Sequence, residues 1–387
     1  MQLGDLGKIV TGKTPSTKNS AFWDGTVPFV TPKDIQGLKH IEQTERYITK
    51  DGLDAVKGSI LPPKAVCVSC IGNIGYVGMT TVECVSNQQI NSIIVNENNN
   101  TDFVYYLIKS LWPFFKNYEG QSTTLSILNK TQFSKIEVDV PDLKAQEQIA
   151  AILSSIDEKI AINQKINDNL EQQAAAVFHD LFVVHADPSW QEGTISDLGT
   201  VVGGSTPSKA RPEYYTDHGI AWITPKDLSV DKSKFISHGA DDITELGLKN
   251  SSASVMPRGT VLFSSRAPIG YIAIADGEVT TNQGFKSVVP HSNIGSAFVY
   301  YFLKDALPTI EGMASGSTFK EISGSAMKTV PAIIPDVDTL RRFTSFCDPL
   351  FQQQRTLEIQ NRELIELRDA LLPKLMSGEI DVSDIQI

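Results

Sequence analysis

The sequence predicts an α+β protein in which two similar domains are separated by two long helices that form an antiparallel coiled coil. Three observations lead to this prediction: the chain is a tandem repeat, each repeat contains short strand-like segments, and a long glycine-free segment follows each repeat. The 387 residues also exceed what one ordinary hydrophobic core holds. The order domain, helix, domain, helix would relate the two halves by a pseudo-two-fold axis.

Four segments in the first half of the chain align, in the same order, with four segments in the second half. The aligned pairs are DLGKIVTGKTPS from Asp5 with DLGTVVGGSTPS from Asp197, VPFVTPKDI from Val27 with IAWITPKDL from Ile220, IGYVGMTTVECVSNQ from Ile74 with IGYIAIADGEVTTNQ from Ile269, and FVYYLIK from Phe103 with FVYYFLK from Phe298. The offset changes only between 192 and 195 residues. The two halves are therefore expected to be two copies of one fold.

Within each copy, short runs of Val, Ile, Tyr and Phe are separated by Gly, Pro, Asn and Asp. The segments AVCVSCIGNIGYVGM and GTVLFSSRAPIGYIAIADG each indicate a strand, a glycine-containing turn and a second strand. One helix is expected near residues 103–111 and its equivalent near residues 298–307. Each copy is thus predicted to be a compact α+β domain, residues 1–142 and residues 183–336.

A long helix is predicted after each copy, over residues 143–182 and 337–378, followed by a short tail, residues 379–387. Pro141 and Pro335 stand just before the two helices, and Gly378 follows the second. Apolar residues spaced by seven form a heptad seam with one polar interruption. The seam residues are Ile149, Ile156, Asn163, Leu170 and Val177 in the first helix and Phe343, Leu350, Leu357, Leu364 and Leu371 in the second. Pro349 is expected to kink or break the second helix.

Composition places few limits on function. The net charge of -11 is unusual for a nucleic-acid binder, yet residues 8–39 contain five lysines and only two aspartates. Phosphate contact requires such a local basic face and not a basic total. No apolar run approaches the ~20 residues that span a bilayer, and the first residues do not resemble a signal peptide. We therefore expect a cytoplasmic protein that does not insert into a membrane.

The repeated motifs resemble those of the specificity subunits of type I restriction-modification systems. The resemblance rests on G-x-T-P-S at residues 12–16 and 204–208, TPKD at residues 31–34 and 224–227, and GSTFKEIS at residues 316–323. LKAQEQIAAILSSIDEKI from Leu143 is similar to the start of the family's central spacer, and LLPKLMSGEIDV from Leu371 to its usual ending. The resemblance covers nearly the whole chain.

This resemblance implies a non-catalytic protein with two target-recognition domains, each reading one half of a bipartite and asymmetric double-stranded DNA site. The helices would set the gap between the half-sites and dock two methyltransferase subunits, and restriction subunits would complete the complex. No cofactor is expected in this chain, because S-adenosylmethionine, ATP and Mg²⁺ would bind to the partner subunits.

Candidate DNA-binding residues lie in the loops of each copy. Lysines, hydroxyl side chains and loop backbone suit phosphate contact, whereas Arg, Asn and Gln suit bidentate contact with base edges. The candidates in the first copy are Lys13, Thr14, Ser16, Lys33, Asn73, Asn87, Gln88, Gln89, Ser122 and Thr123. Those in the second copy are Ser205, Thr206, Ser208, Lys226, Arg266, Asn282, Gln283, Lys286, Ser317, Thr318 and Lys320. The repeated TPKD and Asn-Gln motifs could equally be structural turns.

Two other functions are compatible with parts of the sequence. GKIVTGKT, residues 7–14, fits the phosphate loop of a nucleotide hydrolase, G-x4-G-K-[ST]. The equivalent segment of the second copy, GTVVGGST, lacks the lysine, and only six residues precede the motif. The second alternative is a coiled-coil scaffold whose domains bind proteins and not DNA. Catalytic and metal-binding residues are not predicted, since the six histidines are scattered without the spacing of a metal site or a catalytic triad.

Overall fold

A computed structural model of the chain describes residues 1–35, 37, 39–120, 126–316 and 320–383. The chain forms two compact units, of which the first comprises Met1–Ile162 and Asn361–Ile387 and the second comprises Asn163–Gln360. Each unit therefore contains one repeat together with a part of each long helix.

The first unit is built on two sheets. Its strands are β1 Gly7–Thr11, β2 Trp23–Val30, β3 His40–Ile41, β4 Arg46–Ile48, β5 Ile60–Leu61, β6 Val66–Ser69, β7 Val77–Thr80, β8 Cys84–Ser86 and β9 Ile90–Val95. Its short helices are α1 Lys50–Ala55, α2 Thr101–Ser110, α3 Trp112–Gly120 and α4 Lys130–Ser134. The first long helix, α5 Leu143–His179, begins in this unit and continues into the second. The strand orders are β1-β9-β6-β7-β3 and β4-β2-β8-β5, and only the β2–β8 and β3–β7 pairs are parallel.

The second unit repeats this architecture. Its strands are β10 Gln191–Thr194, β11 Gly199–Gly203, β12 Tyr215–Thr216, β13 Ile220–Ile223, β14 Phe235–Ile236, β15 Asp241–Ile243, β16 Val261–Ser265, β17 Ile269–Ala275, β18 Thr280–Thr281, β19 Lys286–Pro290 and β20 Pro331–Ile334. Its short helices are α6 Ile195–Leu198, α7 Pro225–Val230, α8 Glu245–Lys249, α9 Ser296–Asp305, α10 Leu307–Met313 and α11 Gly324–Lys328. The second long helix, α12 Val337–Met376, begins in this unit and ends in the first.

The two units share one strand order. The larger sheet of the second unit, β11-β19-β16-β17-β14, contains the equivalents of β1-β9-β6-β7-β3 in the same sequence of neighbours. The hairpins β6–β7 and β16–β17 and the helices α2 and α9 are the elements that the sequence predicts. The duplicated fold is therefore confirmed at the level of sheet topology.

Both long helices begin at the same kind of cap. Asp142 Oδ1 accepts a hydrogen bond from Ala145 N at 2.9 Å, and Asp336 Oδ1 accepts one from Thr339 N at 2.9 Å. Each aspartate satisfies a backbone N–H that has no partner within the helix. Helix α5 continues into one π-helical turn, Asp180–Val184. In the part of the chain that the structure describes, no helix is both long and apolar enough to cross a membrane.

The expectation that Pro349 breaks the second long helix is wrong. Helix α12 is continuous from Val337 to Met376, and Pro349 lies on its exposed side. The proline ring removes one N–H from the helix ladder and leaves the carbonyl of Ser345 without that donor. Because Ser345 is also exposed, water can satisfy this carbonyl.

The core of each unit joins its repeat to the long helices. In the first unit, Phe103 and Tyr106 of α2 belong to the same buried cluster as Leu153 of α5 and Leu375 of α12. The second unit has the equivalent cluster, in which Phe298 and Tyr301 of α9 lie with Phe178 of α5 and with Phe343 and Phe351 of α12. Each repeat is thus held against both helices by a continuous apolar core.

Candidate DNA interface and spacer helices

Three repeated motifs converge at one edge of the first unit. Gly12, in the G-x-T-P-S loop, donates its N–H to Ile90 O at 3.0 Å. A Cβ atom at Gly12 would lie 2.0 Å from the carbonyl oxygen of Asn87, in the Asn-Gln loop. Asn87 N in turn donates to Val30 O at 2.9 Å, immediately before the TPKD turn that begins at Thr31. The glycine is required because the two loops are in backbone contact.

The second unit brings together the same three motifs. A Cβ atom at Gly204 would lie 2.0 Å from the carbonyl oxygen of Asn282, and Asn282 N donates to Ile223 O at 3.0 Å. Ile223 immediately precedes the second TPKD turn, which begins at Thr224. The motifs that the sequence comparison selected are thus neighbours in space in both copies, and we call each group a loop cluster.

One side-chain contact is also repeated between the copies. Thr14 Oγ1 donates to Gln88 Oε1 at 2.6 Å, and Thr206 Oγ1 donates to Gln283 Oε1 in the same way. Both glutamines are exposed. These contacts orient an exposed amide group in each loop cluster.

The aspartate of each TPKD motif has a structural role. Asp34 Oδ2 accepts hydrogen bonds from Thr31 N and Thr31 Oγ1, both at 2.7 Å, and Asp227 Oδ2 accepts the same two bonds from Thr224 at 2.7 Å. The carboxylate closes a turn in the first copy and the N-terminal capping box of α7 in the second, and the lysine lies between the two bonded residues. That lysine is exposed in both copies, as Lys33 and Lys226.

Three amide-containing candidates shape the Asn-Gln loops. Asn87 Oδ1 accepts a hydrogen bond from Gln89 N at 3.0 Å, and Asn87 Nδ2 donates to Gln89 Oε1 at 2.9 Å. In the second copy, Asn282 Oδ1 accepts a hydrogen bond from Gly284 N at 2.8 Å. To contact a base directly, each of these side chains would have to break its hydrogen bond within the loop and form one with the base edge.

The other candidates differ in exposure. Lys13, Ser16, Asn73, Ser208 and Lys320 are exposed, and Ser205 is half-buried. The four hydroxyl candidates Ser122, Thr123, Ser317 and Thr318 lie outside the described residues. Lys13 and Lys33 in the first loop cluster and Lys226 in the second are exposed, so both clusters offer cationic and hydrogen-bonding groups to a ligand.

Arg266 and Lys286 form an ion cluster that the sequence did not predict. Arg266 Nη1 lies 3.4 Å from Glu321 Oε2, and Lys286 Nζ lies 3.5 Å from Glu321 Oε1. Glu321 belongs to the GSTFKEIS motif, but nothing in that motif indicates its partners. They are determined by an isolated β-bridge between Arg266 and Glu321, which joins residues 55 positions apart.

None of the ten predicted seam residues on the long helices is exposed. Six are buried and four are half-buried. The buried ones are Ile149, Ile156, Asn163, Leu170, Phe343 and Leu357, and the half-buried ones are Val177, Leu350, Leu364 and Leu371.

Paired residues show that the helices run antiparallel in each unit. In the first unit, Arg368 Nη1 contacts Asp157 Oδ1 at 2.7 Å, and Asn361 Nδ2 donates to Ile160 O at 3.4 Å. In the second unit, Gln354 Nε2 donates to Asn167 O at 3.2 Å, and the ring centroids of Phe343 and Phe178 lie 5.8 Å apart. The helices therefore bury more polar side chains than the one polar seam residue, Asn163, that the sequence predicts.

A second heptad row on α12 contains several of these buried polar side chains. The row contains Leu340, Cys347, Gln354, Asn361, Arg368 and Leu375. Five of the six are buried, and the side chain of Arg368 is 13% exposed. Near this row, Glu358 Oε1 and Oε2 accept hydrogen bonds from Lys234 N and Phe235 N at 2.8 and 3.2 Å. Burial raises the pKa of Glu358 to about 7.

A buried lysine anchors each repeat to the helices. Lys39 Nζ donates to Ser154 Oγ of α5 at 2.8 Å and forms an ion pair with Asp102. The equivalent Lys234 donates to Gln354 Oε1 of α12 at 2.7 Å and forms an ion pair with Glu171 of α5. Both ammonium groups also lie over tyrosine rings. These contacts attach each repeat to the long helices within its own unit.

The segment that resembles a phosphate loop has a different structure. Residues Gly7–Thr11 form the edge strand β1, which pairs with β9, and residues 12–19 form no helix. A phosphate loop connects a strand to a helix whose N-terminus faces the phosphates. The nucleotide-hydrolase interpretation of this motif is therefore wrong.

Two known proteins are similar to this chain in sequence. The chain is 26% identical to the type I restriction enzyme MjaIX specificity subunit of Methanocaldococcus jannaschii, over 99% of this chain and 94% of that protein. It is 24% identical to the type I restriction enzyme HindI specificity subunit of Haemophilus influenzae, over 72% of this chain and 77% of that protein.

A solved structure agrees with the fold. The S subunit of a type I restriction-modification system from M. genitalium superposes with a TM-score of 0.58 at 18% identity, covering 97% of this chain and 95% of that one. In addition, the family model for the type I restriction modification DNA specificity domain matches residues 1–172 and residues 188–367. The chain therefore belongs to the family of type I restriction-modification DNA specificity proteins.

Proposed function

We propose that this chain is the non-catalytic subunit that gives a type I restriction-modification complex its DNA sequence specificity. Each loop cluster would read one half of a bipartite double-stranded DNA site. The observation that carries the proposal is the convergence of the G-x-T-P-S, TPKD and Asn-Gln motifs in both units, with the same backbone contacts at Gly12 and Gly204. Such a convergence provides loop N–H groups, hydroxyl groups and lysines at one surface, as phosphate contact requires.

The exposed lysines Lys13, Lys33, Lys226 and Lys320 are assigned to the DNA backbone, because exposed ammonium groups suit phosphate contact. Base edges are assigned to side chains with directional donors and acceptors. These are Asn73, Gln88, Gln283, Arg266 and Lys286, with Asn87, Gln89 and Asn282 contributing after rearrangement of their loops.

The two half-sites should differ in sequence, because the loop clusters keep the same backbone and change the side chains. Lys13 of the first copy corresponds to Ser205 of the second, and Ile71 corresponds to Arg266. An asymmetric target follows from a duplicated fold whose two copies have diverged at the surface.

The long helices would separate the half-sites and dock the catalytic partners. At about 1.5 Å per residue, helices of this length extend for roughly 55–60 Å. Large apolar side chains are exposed on them. In the first unit these are Ile162, Ile365 and Leu367, and in the second unit Phe346 and Ile359. Such residues suit protein contacts, and we assign them to two methyltransferase subunits.

The restriction subunits would join the same complex. S-adenosylmethionine, ATP and Mg²⁺ would be bound by the partners and not by this chain. The complex would act on DNA in the cytoplasm.

Mapping of methylated adenines in a genome that carries this chain tests the proposal. We expect methylation at one bipartite and asymmetric motif, and loss of methylation at that motif when only the gene for this chain is deleted. Restoring the intact chain should restore the motif. Methylation that persists unchanged after the deletion would contradict the proposal and favour a scaffold that does not select DNA.

A further inference from the structure

One β-bridge occurs at the same backbone position in both copies but joins apolar side chains in one copy and charged side chains in the other. Ile71 is bridged to Ile127 in the first unit, and Arg266 is bridged to Glu321 in the second. The surrounding hydrogen bonds are equivalent: Leu128 N donates to Cys70 O at 2.8 Å, and Ile322 N donates to Ser265 O at 3.1 Å. The bridge is therefore one position in the fold that holds an apolar pair in one copy and an ion pair in the other.

The bridge adjoins the Asn-Gln loop in both copies. Cys70 N donates to Gln89 O at 2.7 Å, and Ser265 N donates to Gly284 O at 2.7 Å. In the second copy, Lys286 Nζ also lies 3.3 Å from the carbonyl oxygen of Gln283. The bridge residues thus lie directly beside the loop cluster to which DNA contact is assigned above.

The Arg266–Glu321 ion pair of the second copy is weak enough for the arginine to exchange it for another acceptor. The side chains of Arg266 and Glu321 are 38% and 36% exposed, and Glu321 is shared with Lys286. An exposed ion pair at 3.4 Å is weak, so the guanidinium can turn to a stronger acceptor while the carboxylate still restrains it. With two cations and one anion, the cluster keeps one net positive charge.

The first copy has no charge at this position. Ile127 is 51% exposed and Ile71 is half-buried, so an apolar surface lies within a polar loop cluster. Asn91 stands at the position of Lys286 and is buried, with Nδ2 donating to Leu128 O at 3.3 Å and Oδ1 accepting a hydrogen bond from Thr11 Oγ1 at 2.7 Å. Of these three side chains, two are apolar and the third already has hydrogen-bond partners, so none of them is suited to a guanine edge.

We propose that these bridge residues determine base specificity, with Arg266, oriented by Glu321, reading a guanine in one half-site and the Ile71–Ile127 pair contacting a thymine methyl group in the other. Arg donates two parallel hydrogen bonds to guanine O6 and N7, whereas apolar side chains suit the 5-methyl group of thymine. This inference rests on the proposed function and adds the base that each bridge reads, the positioning role of Glu321 and the apolar contact of the first copy.

The test uses the full chain assembled with its methyltransferase partner and a DNA library in which both half-sites are randomised. Arg266→Ala should relax the preference for guanine at one position of one half-site by about 5- to 150-fold, the range expected for one bidentate contact, and leave the other half-site unchanged. Glu321→Gln should reduce the same guanine preference by a smaller factor than Arg266→Ala, because Arg266 is still present and only its restraint by Glu321 is weakened. Lys249→Ala is the matched control, since it also removes one exposed cation from a surface ion pair.

Two further variants keep the test decisive if Arg266→Ala impairs folding. Arg266→Lys retains the charge but not the planar pair of donors, so guanine preference should fall while non-specific affinity is kept. Ile71→Arg combined with Ile127→Glu should introduce guanine preference into the first half-site. A uniform loss of affinity for all sequences would identify Arg266 as a phosphate contact and overturn this inference alone. A wild-type complex without any base preference would overturn the proposed function as well.

Discussion

Arg368 of α12 and Asp157 of α5 form a buried ion pair within the first unit, with Nη1 and Oδ1 2.7 Å apart. Asp157 Oδ2 also accepts a hydrogen bond from Tyr106 OH at 2.7 Å. Because Tyr106 belongs to α2 of the repeat, this one carboxylate connects both spacer helices to the recognition domain. The side chains of Arg368 and Asp157 are only 13% and 9% exposed.

Arg368→Ala should strongly destabilise the first unit. Removal of the guanidinium leaves the buried carboxylate of Asp157 without its countercharge, at a cost of about 3–5 kcal/mol. Denaturant unfolding of the full chain, followed by hydrogen exchange in α2 and α5, measures the effect. Arg341→Ala is the control, since the Arg341–Asp338 pair is 71% and 84% exposed and should contribute less than ~1 kcal/mol. Equal effects of the two variants would show that the buried pair has no special role.

Glu358 should make the second unit less stable as the pH rises. Burial raises the pKa of this carboxyl to about 7 in the folded chain, above the usual ~4.3 expected after unfolding. The contribution to stability is therefore fully present below about pH 4.3 and is lost as the pH rises through 7. We expect Glu358→Gln to remove this dependence, so that its stability relative to wild type improves by roughly 1–3 kcal/mol between pH 5 and 8. A stability difference that does not vary with pH would contradict this assignment.

Gly204→Ala should displace the second G-x-T-P-S loop from the Asn-Gln loop. The new Cβ would lie 2.0 Å from Asn282 O and 2.4 Å from Thr281 O, both backbone atoms. We expect weaker recognition of one half-site and a loss of roughly 1–3 kcal/mol in stability, as for other overpacked sites. Gly203→Ala is a matched control one residue away, since its Cβ would meet no atom within 4 Å. DNA selection and thermal unfolding of both variants provide the comparison.

The repeat was visible in the sequence because its motifs are local, and their order predicted which loops come together. Glu321 could not be found in this way, because its proximity to Arg266 depends on a β-bridge between distant segments. The polar row containing Gln354 and Asn361 was missed for a related reason. A heptad search follows apolar residues, whereas these amides are buried because helix carbonyls on the facing helix accept their hydrogen bonds.

The spacer helices are expected to set the gap between the half-sites. Insertion of four residues after Asn163 would lengthen α5 by ~6 Å if the helix continues, which is about two base-pair rises of B-DNA. Coiled coils tolerate a four-residue insertion as a stutter. Methylation mapping should then show unchanged half-sites with a longer gap. The same insertion after Gly277, in the bend between β17 and β18 where an added Cβ would meet no atom within 4 Å, should leave the gap unchanged. An unchanged gap in both active variants would leave the helices as docking surfaces only.

The central claim, that each repeat independently reads one half of the DNA site, is tested most directly by exchanging one repeat. Residues 1–142 would be replaced by the equivalent domain of another specificity subunit, with both long helices retained, and methylated sites would be mapped for the assembled complex. We predict that one half-site changes to that of the donor while the other half-site and the gap remain the same. A change in both half-sites, or in neither, would contradict the claim.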